Sequence, residues 1–180
     1  GRQEESNRSE LLAALNESGN PAQSEGDAPA AISGAAKTVE ATYIFPFLNH
    51  ATMEPMNATA SVTAEGAEIW APTQAQGPCQ FVVSKVLGIT PDKVKVNTTF
   101  LGGGFGRRFE LDFILHAVFA SKAVGAPVKV IWSREEDMRH GFYRPGMAIR
   151  MKAGLDAAGR AVGLQGKIAG PSIMSRVFPQ

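Results

Sequence analysis

The sequence predicts an α+β fold, in which helices pack on a mixed sheet, and three patterns among its 180 residues predict it. Residues 92–100 alternate apolar and polar side chains with the period of two that a half-buried strand shows. Residues 111–124 are almost wholly apolar, which is typical of a buried helix. Residues 58–63 and 67–71 are strand-like runs that flank Ala64-Glu65-Gly66, and this arrangement indicates a β-hairpin.

The N-terminal part differs in composition from the rest. Residues 4–16 carry three leucines in a polar, helix-forming context, which predicts a short amphipathic helix. Residues 18–36 are mostly small or polar, and Ile32 is their only large apolar residue. So little apolar surface does not offset the entropy of ordering the segment, which predicts a linker. We therefore divide the chain into residues 1–36, an N-terminal helix and flexible linker, and residues 37–180, the structured part.

A strand and a helix are predicted early in the structured part. Residues 37–45 are rich in β-branched and aromatic side chains and end at Pro46, which predicts a strand. Residues 74–87 place apolar side chains at helical spacings, and Gly88 follows where a helix would stop, which predicts a helix.

A glycine loop with the sequence Leu-Gly-Gly-Gly-Phe-Gly-Arg-Arg occupies residues 101–108, between the period-two strand and the apolar helix 111–124. Residues 128–132 form a further apolar run, so the order strand, helix, strand predicts a βαβ unit. A final antiparallel hairpin is predicted for residues 147–153 and 161–168, which an Asp-Ala-Ala-Gly turn joins.

Composition excludes several classes of protein. The 18 basic and 17 acidic residues are scattered and give a net charge of +1, which argues against a nucleic-acid-binding surface. No apolar run approaches the roughly 18 to 20 residues of a membrane-spanning helix, so we expect no membrane insertion. The single cysteine, Cys79, cannot form an intramolecular disulfide or build a zinc or iron–sulfur site alone, and its apolar neighbours predict a buried thiol.

The glycine loop is the feature most indicative of a ligand. Four glycines in five positions allow positive φ angles, and successive backbone N–H groups ahead of a helix can surround an anion. The loop lacks the Gly-Lys-Ser/Thr ending of a P-loop, and its glycines do not have the Gly-x-Gly-x-x-Gly spacing of a dinucleotide-binding loop. A tight turn without a ligand is the alternative. The entropic cost of three consecutive glycines favours close approach of the backbone by a bound group.

Charged residues near the loop admit alternatives. Arg107 and Arg108 could pair with a phosphate, or with an acidic neighbour such as Glu110 or Asp112, and we favour the ion-paired start of a helix. 

Two histidines are also candidates for chemistry. His50 and Glu54 are four residues apart, but Pro55 follows and no third ligand is near, so a metal pair is disfavoured. His116 lies within the apolar helix, which predicts a hydrogen-bonded core histidine.

Several of these segments, taken together, resemble the molybdenum-binding large subunits of the xanthine dehydrogenase and aldehyde oxidase family. They occur in the family's order and are His50-Ala51-Thr52-Met53-Glu54-Pro55, Trp70-Ala71-Pro72-Thr73-Gln74, the glycine loop, and Trp132-Ser133-Arg134-Glu135-Glu136-Asp137 with Tyr143-Arg144-Pro145. The Arg-Arg ending of the loop is similar to the isoquinoline 1-oxidoreductase β-subunit branch. The resemblance covers residues 37–168 and implies that residues 37–180 are a partial molybdopterin-binding domain of a larger subunit.

The resemblance implies a set of cofactor-binding residues. In the family the glutamine of the Thr-Gln pair lies beside an oxo ligand of molybdenum, a role that falls to Gln74 here. The family's glycine loop passes against metal and pterin, which implies contacts from Gly103, Gly104, Phe105 and Gly106. No residue is expected to ligate the metal directly. The family's general-base glutamate lies near the far C-terminus of the subunit, so we expect no catalytic residue within this chain.

Activity, cofactor and partner are implied in the same way. Members of the family hydroxylate N-heteroaromatic compounds such as isoquinoline, or oxidise aldehydes, with water as the source of oxygen. The implied cofactor is molybdopterin cytosine dinucleotide with molybdenum, and the implied partner is a small subunit with [2Fe–2S] clusters. We expect the isolated chain to be inert. The alternatives are a degenerate, non-catalytic binding domain of the same fold and a stand-alone anion or nucleotide binder, and the compartment, periplasm or cytoplasm, stays open.

Overall fold

A computed structural model of the chain describes residues 4–177 and has the α+β fold that the sequence predicts. The chain divides into two compact units. Unit 1 contains the described residues up to Leu48 and from Arg144 onward, and unit 2 is Asn49–Tyr143. The division of the chain after residue 36 stays a prediction, and its outer ends, residues 1–3 and 178–180, lie outside the described residues.

Unit 2 is built on a four-stranded sheet. The strands are β2 (Asn57–Val62), β3 (Ala67–Ala71), β4 (Val94–Thr98) and β5 (Val128–Ile131), and their order is β4-β3-β2-β5. The β2–β3 hairpin is antiparallel, as predicted, β4 runs parallel to β3, and β5 runs antiparallel to β2. The predicted βαβ unit therefore has its two strands at opposite edges of the sheet, because the hairpin occupies the space between them.

Two helices cover this sheet and form the core of unit 2. Helix α3 (Gln76–Leu87) connects β3 to β4 and ends at Gly88, which adopts the left-handed conformation (φ +71°). Helix α4 (Asp112–Val124) packs on β2 and β5 and ends at Gly125. Both helices confirm the sequence prediction. Their fully buried apolar side chains, with those of the sheet, include Met56, Ile69, Cys79, Val83, Phe113, Ile114 and Val118.

His116 does not lie in the core, so that prediction is wrong. The core face of α4 is taken by Phe113, Ile114 and Ala117, which places His116 on the exposed face. There the imidazole stacks on the indole of Trp132, with ring centroids 5.6 Å apart. An almost wholly apolar helix still has an outer face, which composition alone does not locate.

The last part of unit 2 is a short helix after β5. Helix α5 (Arg134–His140) begins at Ser133, whose Oγ accepts a hydrogen bond from the Glu136 N–H at 3.1 Å. Acidic side chains in the first turn complement the helix dipole.

Unit 1 is built on a three-stranded antiparallel sheet. Its strands are β1 (Lys37–Phe45), β6 (Met147–Leu155) and β7 (Ala161–Ala169), in the order β1-β6-β7. The strand β1 and the β6–β7 hairpin were both predicted. Three helices complete the unit, namely α1 (Glu4–Ala14), α2 (Ala28–Ser33) and α6 (Ile173–Val177).

Helix α2 lies within the segment predicted to be a linker, and that prediction is corrected here. Asp27 caps the helix by accepting the Ala30 N–H at 2.9 Å, and Ile32 is buried. The helix packs closely because two strand residues beneath it lack side chains: a Cβ on Gly154 would lie 2.9 Å from the Ile32 Cα, and one on Gly163 3.1 Å from the Ile32 side chain. A single buried apolar residue is enough to hold α2 on the sheet, because these glycines allow the helix backbone to approach the strands closely.

The two faces of the unit 1 sheet differ in polarity. Gly154 and Gly163 lie on the face that α2 covers, which also carries Arg150 and Lys152. The opposite face is apolar and is called the apolar sheet face below; its members are Val39, Tyr43, Phe45, Ile149, Met151, Leu164 and Ile168. Leu164 and Ile168 are 60% and 67% exposed, so no other part of residues 4–177 covers them.

No helix within residues 4–177 is long and apolar enough to cross a membrane.

Candidate cofactor-binding site

The glycine loop follows β4, and its last two residues begin a single 3₁₀ turn, Arg107–Phe109, that precedes α4. Three of its residues have positive φ: Gly103 (+93°), Phe105 (+53°) and Gly106 (+94°). The prediction of left-handed backbone is therefore confirmed. Phe105 is not a glycine, so its left-handed conformation costs free energy that the surrounding contacts must offset.

Gln74 and the loop meet in space although they are far apart in the sequence. The Gln74 Oε1 accepts a hydrogen bond from the Gly106 N–H at 3.1 Å. A Cβ on Gly104 would lie 2.5 Å from the same oxygen, so only glycine allows this approach. The Gln74 side chain is exposed, and its Nε2 donates to no acceptor within the described residues.

Thr73 fixes the turn that presents Gln74. Its hydroxyl is buried, donates to the Arg108 carbonyl oxygen at 3.2 Å and accepts the Ala75 N–H at 3.0 Å. The Gln74 N–H donates to the same Arg108 carbonyl oxygen at 3.0 Å. The carbonyl of one loop residue therefore holds both residues of the Thr-Gln pair.

Arg107 is an ion-paired residue and not a surface cation. Its guanidinium forms two hydrogen bonds to the Asp112 carboxylate, at 2.9 and 2.7 Å, and its side chain is 2% exposed. The same group lies 5.5 to 6.0 Å from the ring centroids of Phe113, Trp132 and Phe142, which are cation–π distances. Of the alternatives for Arg107, the acidic neighbour is the partner that the structure shows.

Arg108 is also buried and paired, but with a residue that the sequence did not suggest. Its Nη2 contacts the Glu54 carboxylate at 2.8 Å and the Glu54 carbonyl oxygen at 2.7 Å. Its Nε donates to the Gly103 carbonyl oxygen at 2.6 Å. Burial lowers the pKa of the Arg108 guanidinium and the charge of Glu54 opposes this shift.

Hydrogen bonds and an ion pair hold the Glu54 carboxylate. It accepts from the Gly102 N–H at 3.0 Å and from the Asn57 amide at 2.9 Å. Burial raises the pKa of this carboxyl, but the two hydrogen bonds and the Arg108 charge outweigh burial and leave the pKa lowered. His50 Nδ1 lies 3.1 Å from the Phe142 carbonyl oxygen. Within the described residues no group of three or more His, Cys, Asp or Glu is placed to hold a metal ion.

The arrangement can donate hydrogen bonds to a bound group. The Gly103 and Gly104 N–H groups donate to no acceptor within residues 4–177, and the Gln74 amide is exposed beside them. The contacts of Thr73 and Glu54 with Arg108 were not predicted. Both residues lie inside the motifs that carry the family resemblance, yet Arg108 is 35 and 54 residues away, a pairing that a single sequence does not reveal.

A scan against protein-family models matches residues 13–171 to the molybdopterin cofactor-binding domain. The isoquinoline 1-oxidoreductase subunit beta of Brevundimonas diminuta is 39% identical over 132 residues, which are 72% of this chain and 17% of that protein. The aldehyde oxidoreductase molybdenum-binding subunit PaoC of Escherichia coli O157:H7 is 31% identical over 142 residues, 78% of this chain and 19% of that protein. The chain thus spans less than a fifth of the length of these relatives.

Solved structures agree on the fold. Aldehyde oxidoreductase from Desulfovibrio gigas aligns with a TM-score of 0.69 and 18% identity, over 79% of this chain and 16% of that one. Quinoline 2-oxidoreductase from Pseudomonas putida 86 aligns with a TM-score of 0.68 and 22% identity, over 79% and 18%. The resemblance to molybdenum-binding large subunits is confirmed, and the chain belongs to the molybdopterin cofactor-binding domain family of molybdenum oxidoreductases.

Proposed function

We propose that the chain is part of the molybdenum-cofactor-binding subunit of an oxidoreductase that hydroxylates N-heteroaromatic compounds or oxidises aldehydes, with water as the oxygen source. Membership of the family supports the reaction class. The names of two relatives, an isoquinoline 1-oxidoreductase subunit and an aldehyde oxidoreductase subunit, support these two substrate classes. The activity would belong to the longer subunit, because the chain spans less than a fifth of those relatives.

The observation that carries the proposal is the 3.1 Å hydrogen bond between Gly106 and Gln74. It joins the two motifs to which the family resemblance gives cofactor contacts. We assign Gln74, Gly103, Gly104, Phe105 and Gly106 to binding of molybdopterin cytosine dinucleotide with molybdenum. When bound, this group supplies the two-electron redox centre at which oxygen from water is transferred.

The residues fit such a group in charge and in shape. The Gln74 Oε1 is used by the loop, which leaves the Nε2 to donate a hydrogen bond to an oxygen of the bound group. The N–H groups of Gly103 and Gly104 are further donors, and the absence of side chains at these positions lets the group approach the backbone. Gln74 and the loop would thus bind and orient the cofactor without exchanging protons with it.

Electron transfer and proton transfer would need other parts of the enzyme. We assign the electrons to a small [2Fe–2S] partner subunit. Cys79, the only cysteine of the chain, is buried in the core, and burial raises the pKa of its thiol to about 11. The general base would be a glutamate of the longer subunit. The isolated 180-residue chain is therefore expected to be inert, and formation of hydroxylated isoquinoline by the pure chain would contradict this expectation.

Molybdenum content tests the proposal. The full-length protein, purified from its native host with its partner, is expected to contain molybdenum by plasma mass spectrometry, whereas the Gln74→Ala and Gly104→Val variants lose it. Gln23→Ala, at an exposed position outside the site, is the matched control and should keep the metal. A folded parent without molybdenum would overturn the proposal in favour of a degenerate, non-catalytic binding domain.

A further inference from the structure

The two arginines that end the glycine loop were left without a function by the sequence, and Arg108 contacts every segment of the candidate site. Its Nε binds the Gly103 carbonyl, its Nη2 binds Glu54, and its own carbonyl accepts from Thr73 and Gln74. The side chain is fully buried. One residue thus connects the middle of the loop, the Glu54 segment and the turn that presents Gln74.

Glu54 completes the connection from the other side. Its carboxylate accepts the Gly102 N–H, and its own N–H donates to the Gly102 carbonyl oxygen at 3.0 Å. A Cβ on Gly102 would overlap the Glu54 Cβ, so the two backbones are in contact. The start of the loop is held by Glu54 and its middle by Arg108, while the ion pair joins the two residues.

The charges around Arg108 and Glu54 favour the ion pair between them. Arg107 lies near Arg108 and disfavours its charge, whereas Glu54 and Asp137 favour it. Lys129 adds to the positive charge near Glu54. Removal of the Glu54 carboxylate would leave this buried guanidinium with Asp137 in favour of its charge and Arg107 against it, which is unfavourable.

We propose that Arg108 and Glu54 are positioning residues that hold the glycine loop at the distance from Gln74 at which both can bind the cofactor. This inference rests on the proposed function. The Arg108 position requires an arginine, because one planar guanidinium donates to Gly103 and to Glu54 in different directions. The single ammonium group of a lysine does not reproduce these two contacts.

The test compares Arg108→Lys and Glu54→Gln in the full-length protein. Amide hydrogen exchange at Gly102 and Gly106, whose N–H groups are hydrogen-bonded, is expected to rise about ten- to hundredfold in both, the factor for loss of charge-assisted hydrogen bonds, while exchange in α3 and β3 stays unchanged. Release of molybdenum on dialysis is expected to accelerate in parallel. The control is Arg160→Lys, which alters an exposed arginine–carboxylate pair with Asp156 in unit 1 and should change neither readout.

The outcomes separate this inference from the proposed function. Unchanged exchange at Gly102 and Gly106 in a folded Glu54→Gln protein would overturn the positioning role, and so would a rise spread evenly over unit 2, which indicates a general structural role. A parent protein that holds no molybdenum would overturn the proposed function, and with it the part of this inference that concerns the cofactor. That conclusion would not depend on the amide hydrogen exchange measured at the loop.

Discussion

Gly104 shows at the scale of one residue how the loop and Gln74 depend on each other. It is not among the residues with positive φ, so its requirement for glycine comes from space and not from backbone conformation. Gly106 is the reverse case, because its φ is +94° and a Cβ there would meet nothing within 4 Å. Gly104 is therefore required because there is no room for a side chain, and Gly106 because of its backbone conformation.

Gly104→Ala is expected to displace the Gln74 side chain, because the new Cβ would lie 2.5 Å from its Oε1. The NMR signals of the Gln74 side-chain amide should shift, and the free energy of unfolding should fall by only about 0.5 to 1.5 kcal/mol, because the displaced group is the exposed end of a flexible side chain and its hydrogen bond to the Gly106 N–H is what is lost. Gly106→Ala is the control: it should cost about 1 to 2 kcal/mol through its backbone alone and leave the Gln74 signals in place. Equal shifts in both variants would contradict this account.

Glu54 gives the site a defined sensitivity to acid. Its folded-state pKa is lowered, so its ion pair stabilises the protein at a pH above the unfolded value of about 4.3 and is lost as the pH falls through the folded value. The difference in free energy of unfolding between the parent and Glu54→Gln should be largest near neutral pH and shrink below about pH 4. Urea titrations at several pH values measure it, and a difference independent of pH would contradict the prediction.

At the scale of elements, Ser121 joins α4 to the sheet of unit 2. Its hydroxyl is fully buried, donates to the Ala126 carbonyl oxygen at 2.8 Å and accepts the Val62 N–H at 3.0 Å. One side chain therefore satisfies the end of β2 and the turn after α4 at once.

Ser121→Ala is expected to lower the free energy of unfolding by about 1 to 3 kcal/mol, because a buried donor and a buried acceptor lose their partner. Chemical denaturation measures the change. Ser84→Ala is a matched control in α3, since the hydroxyl of this buried serine bonds, among residues 4–177, only to the Phe81 carbonyl oxygen of its own helix, and its loss should be smaller. A larger loss at Ser84 would contradict the assignment.

Elements with a strong local pattern could be predicted from the sequence, and those fixed by distant partners could not. The hairpin β2–β3 and helices α3 and α4 follow from apolar periodicity. Helix α2 was missed because its stability depends on Gly154 and Gly163, more than 120 residues away along the chain, as the sequence numbers show. Within the site, the glycine loop and Gln74 were singled out, but the pairing of Arg108 with Glu54 needed the fold.

At the scale of the whole molecule, the apolar sheet face has no structural partner among the described residues. The curated relatives are more than five times longer than the matched part, so further chain is available in such subunits to cover it. An exposed face of this kind is prone to association.

The isolated chain is therefore expected to self-associate through this face. Sedimentation velocity should show association that increases with concentration, and Leu164→Lys should reduce it, because the side chain is 60% exposed on this face. Gln165→Lys places the same charge at the next residue of β7, on the opposite face, and should leave association unchanged. A chain that stays monomeric at all concentrations would contradict the prediction.

The pairing of the strands also determines how long β1 waits for its partner while the chain is synthesised. Strand β1 is complete at Phe45, but its only pairing partner in the described sheet, β6, begins at Met147. At a synthesis rate of about 5 to 20 residues per second, β1 waits several seconds or more while all of unit 2 emerges. The candidate site, which lies wholly in unit 2, can thus be formed while the sheet of unit 1 is still one unpaired strand.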